Sequence, residues 1–156
     1  MSRQYWLMKS EPDDYSIDDL ERDQVEPWDG VRNYEARNFM RDEMKPGDRA
    51  LFYHSNIKPP EIAGVMEIEG DPYPDPTQFD PESKYFDSKS SESDPRWQLV
   101  DVRFVKKFHK PVSREELKKD PLLSEMMLFK RNRLSITRVT EEEYRRVLEL
   151  AGEEEA

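Results

Sequence analysis

The chain has no cysteine and only two histidines, His54 and His109. Disulfides and thiolate metal sites are therefore excluded. The two imidazoles stand in unrelated contexts, so a zinc-type donor set is missing too. A carboxylate-only Mg²⁺ site is the one metal option that composition leaves open. Neither a metal nor a cofactor is expected. Cysteine-free composition makes the cytoplasm the expected compartment. No apolar run approaches the roughly 18 residues that a membrane-spanning helix needs, so no membrane partner is expected. The first residues, Met1-Ser2-Arg3-Gln4-Tyr5-Trp6, lack the apolar stretch of a signal peptide. Glycine is scarce as well. The five glycines, Gly30, Gly47, Gly64, Gly70 and Gly152, never fall at dinucleotide-binding or P-loop spacing. A catalytic nucleophile has no visible base. His54 and Ser55 are neighbours, but adjacent strand residues point to opposite faces.

What remains is a chain of 156 residues, the size of one domain with one real core. Its apolar fraction of 35% is low, yet 17 aromatics and clear periodicity argue for folding. The net charge is −10, unevenly distributed. Residues 1–102 carry a balance of −12, residues 103–138 of +7 and residues 139–156 of −5. The basic block is either a solvated face or a strip beside a binding site. Phosphate binding by so acidic a chain would be local and salt-sensitive.

Hydrophobic periodicity predicts strands at 4–9, 49–55, 61–69, 97–108 and 134–139. Ser16 with Asp19 forms a capping box for a helix to Asp23, with Ile17 and Leu20 inward. Pro27-Trp28-Asp29-Gly30 is turn chemistry. Asn33 caps a helix over about 34–44, with Ala36, Phe39, Met40 and Met44 on its apolar face. Ser113 with Glu116, and Thr140 with Glu143, are further capping boxes. Pro121 starts another short helical turn. Residues 70–95 hold five prolines and a serine-rich patch, and read as a long irregular surface loop. An acidic tail follows at about 151–156. Strands outnumber helices, and no regular βαβ repeat appears. The fold class is α+β: a small, mostly antiparallel β-barrel flanked by helices.

One nuclease-like spelling stands out. Pro74-Asp75 followed by Glu82-Ser83-Lys84 matches the pattern in which two carboxylates hold Mg²⁺ and a lysine assists water. The chemistry requires the second element on a core strand, and here both lie in the polar loop. Elsewhere, aromatic and polar residues share short stretches. They are Trp28 to Tyr34 with Arg37 and Asn38, Leu51 to Asn56, Lys9-Ser10-Glu11, and Arg131 to Ser135. Strand ends meeting at one rim would bring these together. Rings would stack on a flat polar ligand while amides, hydroxyls and guanidinium groups read its edge. Trp6 and Phe52 read as core. Tyr34, Arg37 and Asn38 are either a solvated face or a ligand face. Asn33 fits a plain helix cap. Trp28, between proline and glycine, reads as a functional wall.

The segments Tyr5 to Pro12, Trp28 to Tyr34, Ala36-Arg37-Asn38-Phe39-Met40, Phe52 to Asn56 and Arg133-Leu134-Ser135 resemble the EVE domain family. Tyr73 to Phe79 and Trp97 to Val102 fit the same pattern, so the resemblance runs over about residues 4–150. It implies one PUA-like domain over residues 1–156, with kinship to YTH and ASCH domains. It implies a non-catalytic binding domain that reads a modified nucleobase, such as modified cytosine in DNA or an RNA base. Nucleic acid is thus the expected partner. With the stacking argument, it points to Trp28 and Tyr53 as walls. Asn33, Ser55, Ser10 and Ser135 would bond the polar edge of the base. Lys9, Arg37 and Arg133 would meet phosphate or a carbonyl. The other readings are a small-metabolite sensor or protein-interaction module, and more remotely the Mg²⁺ nuclease.

Overall fold

Two strands buried on both faces explain most of the architecture. β1 (Tyr5–Ser10) and β3 (Arg49–His54) pair in parallel, Leu7 opposite Leu51 and Met8 opposite Phe52. Alternate residues feed two separate cores. Tyr5, Leu7, Leu51 and Tyr53 pack on one side. Trp6, Met8, Ala50 and Phe52 pack on the other. Burial of both faces is why these strands read as near-continuous apolar runs. The computed structural model describes residues 3–154. Met1, Ser2 and the last two residues of the acidic tail lie outside the described residues.

The remaining elements wrap this centre. They are α1 (Ile17–Asp23), β2 (Val25–Pro27), α2 (Tyr34–Asn38) running into a π-helical turn (Phe39–Glu43), and β4 (Glu61–Pro74). After a 3-10 turn at Pro76–Phe79 come β5 (Gln98–Ser113), α3 (Arg114–Lys119), α4 (Met127–Lys130), β6 (Ile136–Val139) and α5 (Glu141–Ala151). The six strands form one sheet in the order β2-β5-β4-β3-β1-β6. Every pair except β1 with β3 is antiparallel. The α+β class holds. The closed barrel does not: β2 and β6 are the two edges, and no ladder joins them. β2 is only three residues long and ends at Pro27, which has no N–H to extend a ladder. Bulges in the β4–β5 pairing bend these long strands.

Helix starts follow the capping residues. Ser16 and Asp19 make both halves of a box before α1, as Thr140 and Glu143 do before α5. Asn33 caps α2 by accepting from the Ala36 N–H at 2.9 Å. Ser113 accepts from the Glu116 N–H, while the Glu116 carboxylate meets the Ser113 hydroxyl rather than closing the box on its backbone. The turn expected at Pro121 forms as one hydrogen-bonded turn, the Ser124 N–H donating to the Asp120 carbonyl at 2.9 Å, and the next helix, α4, starts later, at Met127.

His54 ties α1 to the sheet. Its Nε2 accepts from the Ile17 N–H at 3.1 Å. Burial pushes its pKa below the ordinary value and Lys107 adds to this, against the opposing charge of Asp18. The imidazole is thus held neutral, as an acceptor must be.

The irregular loop is built on two buried side chains. Asp75 is 1% exposed. Its Oδ1 accepts from the Thr77 N–H at 2.8 Å and the Thr77 hydroxyl at 2.6 Å. Its Oδ2 accepts from the Gly30 N–H at 2.8 Å and Arg32 Nη1 at 3.1 Å. The Gln78 amide donates to the carbonyls of Asp75 and Trp97, and its oxygen accepts from Trp97 N–H and the Ser90 hydroxyl. β4 itself runs into the expected loop as far as Pro74. These contacts overturn the nuclease reading. A carboxylate has about four acceptor sites, and all four on Asp75 are filled by the protein. Among the described residues no group of three histidine or acidic side chains could hold a metal ion.

Two outcomes follow from these anchors. Asp75→Ala leaves Arg32 and the Gly30 N–H without their acceptor. It should cost about 3 kcal/mol in urea unfolding, the low end for breaking a buried pair, and a loss below about 1 kcal/mol would contradict the anchor. His54 should make stability fall as pH drops from 7 towards 5.5. The unfolded imidazole takes its proton near about 6.5, while the folded one resists until lower pH. That contribution is present above the unfolded value and lost as pH falls through the folded one. His54→Gln should flatten the slope in this window, and an unchanged slope would exclude His54 as its source.

Candidate functional site

Both edges of the sheet border one cleft of about 660 Å³. β1 and β3 are parallel, so their C-terminal ends lie side by side. β6 is antiparallel to β1, so its start reaches the same end. The Lys9 N–H donates to the Ser135 carbonyl, and the Ser55 N–H to the Ser10 carbonyl, each at 2.9 Å. Lys9, Ser10, Ser55, Arg133 and Ser135 therefore share one wall. From the other edge come Glu26 and Pro27 of β2 and then Trp28. The cleft thus lies between the β2 edge and the segment that leads into β6.

Trp28 is largely buried, with its ring edge-on to Phe52 at 5.5 Å and 86°. The indole N–H groups of Trp6 and Trp97 donate to Asp48 and Asp87. Among the described residues the Trp28 indole N–H has no such acceptor. Beyond Trp28 the wall continues through Asp29, Gly30, Val31 and Arg32 to Lys84 and Tyr85. Gly30 has φ +79°, and a Cβ there would sit 2.5 Å from the Tyr85 ring. Only glycine lets the ring lie on this turn. Arg32 fastens Tyr85 from behind, donating to its carbonyl from Nη2 at 2.7 Å and from Nε at 3.1 Å. The Asp75 network therefore sets one whole side of the cleft.

Three residues expected here lie elsewhere. Tyr53 packs in the core on the α5 side, opposite to Trp28, because strand alternation turns it away from Phe52. Lys9 Nζ lies 5.9 Å from its ring centroid. The Asn33 side chain is engaged as the α2 cap. Arg37 donates to the Arg96 carbonyl and to Asn38 Oδ1, and lies over the Tyr34 ring. Conversely, Asp14, Tyr15, Glu26 and Tyr85 line the cleft without having been named, and Glu11, Asp29, Arg32 and Lys84, named only within larger stretches, line it as well. Asp29 and Arg32 stand inside the motif that starts at Trp28. Lys84 and Tyr85 come from the loop, where no periodicity marks them.

The cleft mixes both signs of charge. Lys9 donates to the Asn132 carbonyl at 2.8 Å; burial, then Arg114, lowers its pKa. Burial also raises Glu26, helped by Asp29 and Asp23, and raises Asp29, helped by Asp75. Glu11 accepts from Asn56, and Lys84 faces Asp14 at 3.9 Å. The Ser10 hydroxyl donates to the Tyr15 carbonyl at 2.6 Å. Among the described residues, Ser55, Ser135 and Arg133 have no side-chain partner. An aromatic wall, unengaged hydroxyls and a free guanidinium suit a flat heteroaromatic ring carrying an anionic group. The volume lies in the usual range for small-ligand clefts.

Six of the eleven cations in the expected basic strip are paired with carboxylates. Arg103 pairs with Glu67 and Glu69, Lys106 with Glu153, Lys107 with Asp18, Lys119 with Glu115, Arg131 with Glu35 and Arg138 with Glu43. Within the block, Arg133 is the cation that lines the cleft.

Known proteins are similar to this chain in sequence and fold. Thymocyte nuclear protein 1 of Mus musculus is 46% identical over 166 residues, which cover 94% of this chain and 73% of that protein. A hypothetical protein from Leishmania major has a solved structure with TM-score 0.93 and 45% identity, covering 97% of this chain and 96% of that one. Human THYN1, solved in complex with DNA containing 5-methylcytosine, gives TM-score 0.90 at 44% identity, covering 97% of this chain and 99% of that one. The cytoplasmic expectation falls here. The mouse and human relatives are named thymocyte nuclear protein 1, which points to the nucleus. Missing cysteines could not tell the two apart, because both compartments keep thiols reduced. The model of the EVE domain matches residues 4–150, and the chain belongs to the EVE domain family.

Proposed function

We propose that this protein is a non-catalytic reader of modified bases in DNA, and that its cleft takes a single 5-methylcytosine turned out of the stack. One observation carries the reading: a relative of 44% identity and the same fold was solved with DNA containing 5-methylcytosine. The same complex supports DNA over RNA as the ligand. The cleft chemistry supports it independently. Trp28 offers an aromatic wall for the base, and Ser55 and Ser135 offer hydroxyls for its edge. Arg133, without an ion pair in an acidic chain, offers a phosphate contact. Lys9, half-buried at the same rim, adds a second positive charge. The absence of a role for Tyr53, Asn33 and Arg37 inside the cleft leaves Trp28, Ser10, Ser55, Ser135, Lys9 and Arg133 as the reading set, with Arg32 and Tyr85 behind it. A non-catalytic role is supported by the engagement of the obvious candidates: Asp75 is saturated, and His54 accepts from Ile17. We also infer that the sheet is a PUA-like barrel left open at one seam, a reading supported by a cleft that lies between the β2 edge and the segment leading into β6.

Fluorescence anisotropy with duplexes differing only in one 5-methyl group tests this. The methylated duplex should bind more tightly at low salt. Trp28→Leu, which keeps an apolar contact on Phe52, should abolish the difference, since a stacked base contributes about 1–3 kcal/mol. Arg133→Gln should weaken both duplexes alike and lower the salt slope by about one. Equal binding of both duplexes by the wild-type protein would exclude methyl reading.

A further inference from the structure

A ladder of flat groups runs outward from the cleft, on the far side of Arg32. The Tyr85 ring borders the cleft. The Arg32 guanidinium lies 5.5 Å from that ring and 5.3 Å from the ring of Trp97. Trp97 stacks on Tyr34 at 4.7 Å and 22°. Arg37 lies over Tyr34 at 4.7 Å. The outer end is open: Tyr34 remains 50% exposed.

Charge marks this end out as well. On the same helical segment Glu35 is paired by Arg131 and Asp42 by Arg41. Arg37 and Arg96 make no ion pair among the described residues, though the chain carries ten more acidic than basic side chains. Arg37 donates to the Arg96 carbonyl and to Asn38 Oδ1. Those bonds use three of its five N–H groups. Burial already disfavours its charge and Arg41 adds to this, while Tyr34 and Asp42 offset only part of that cost. A half-buried guanidinium without an anion, beside an exposed ring, is complementary to a base stacked over a phosphate. An acidic peptide would match the arginines but leave the rings without a flat partner.

We propose that the Tyr34–Arg37 end of this ladder is a docking surface for the nucleotide next to the base held in the cleft. The flanking base stacks on the Tyr34–Arg37 face, and its phosphate meets the spare N–H groups of Arg37. Arg32 is the shared element: one side fixes the cleft wall, the other the ladder. The proposal rests on the base-reading function, and it predicts a different phenotype. The cleft sets the preference for the methylated base. The ladder adds affinity without regard to methylation.

The test measures both quantities on one pair of duplexes, methylated and plain. Tyr34→Ala places a good helix former at an exposed first-turn position, and its thermal midpoint checks folding. It should weaken binding to both duplexes roughly fivefold, the low end for one stacked base, and leave their ratio unchanged. Arg37→Gln should also weaken both and lower the salt slope by about one. Unchanged affinity in Tyr34→Ala would overturn the proposal. So would a collapsed ratio, because Tyr34 would then be shaping the cleft. The two readings fail separately. A wild-type ratio of one removes base reading but leaves the ladder standing if Tyr34→Ala still binds less. A persistent ratio with unmoved affinity removes the ladder alone.

Discussion

Four donors converge on the Asp75 carboxylate, and the cleft depends on them. Two come from Thr77 and set the turn that begins the loop. The other two come from Gly30 and Arg32, far away in sequence, and pull the segment after Trp28 against that loop. Arg32 then grips Tyr85, and Tyr85 lies on Gly30. An unpaired buried carboxylate would be costly, whereas a saturated one fixes geometry. A single side chain thereby turns a polar, proline-rich stretch into one wall of a binding cleft.

Much of this was legible in the residues, and the illegible part has physical causes. The capping residues Ser16, Asn33, Ser113 and Thr140 all cap helices, because a cap is a local interaction written within four residues. The central strands were legible for a similar reason: a near-continuous run of large apolar side chains is local. β2 was hidden, since Val25-Glu26-Pro27 is held by its pairing with Arg103, Val102 and Asp101 and not by any pattern of its own. The loop was hidden because Asp75 and Gln78 look like surface residues until their distant partners arrive. Tyr53 illustrates the limit at the site. Polar residues follow it in sequence, His54-Ser55-Asn56, but strand alternation alone decides which face it takes, and it takes the α5 side.

Charge shows the same division between sum and arrangement. An overall balance of −10 looks unfit for DNA. The basic block that seemed to answer it is partly tied up in surface pairs, each of small energetic value. The cations that remain without a carboxylate matter more. Arg133 stands in the cleft, and Arg37 and Arg96 stand at the ladder. Other cations, such as Lys110 and Lys130, also lack an ion pair among the described residues, but they do not line the cleft; binding through the few that line the cleft or the ladder is local and salt-sensitive. It suits a protein that recognises one altered base better than one that coats a duplex.

The three tryptophan side chains supply a direct measurement. Trp6 and Trp97 have their indole N–H groups bonded to Asp48 and Asp87, while that of Trp28 has no protein acceptor among the described residues. In ¹H–¹⁵N correlation spectra the three indole resonances can be followed during titration with a duplex carrying one 5-methylcytosine. If the cleft receives the base, the Trp28 resonance shifts strongly and that of Trp6, deep in the core, stays in place. If the duplex binds while the Trp28 resonance does not move, the base is read elsewhere and the cleft is not the reading site.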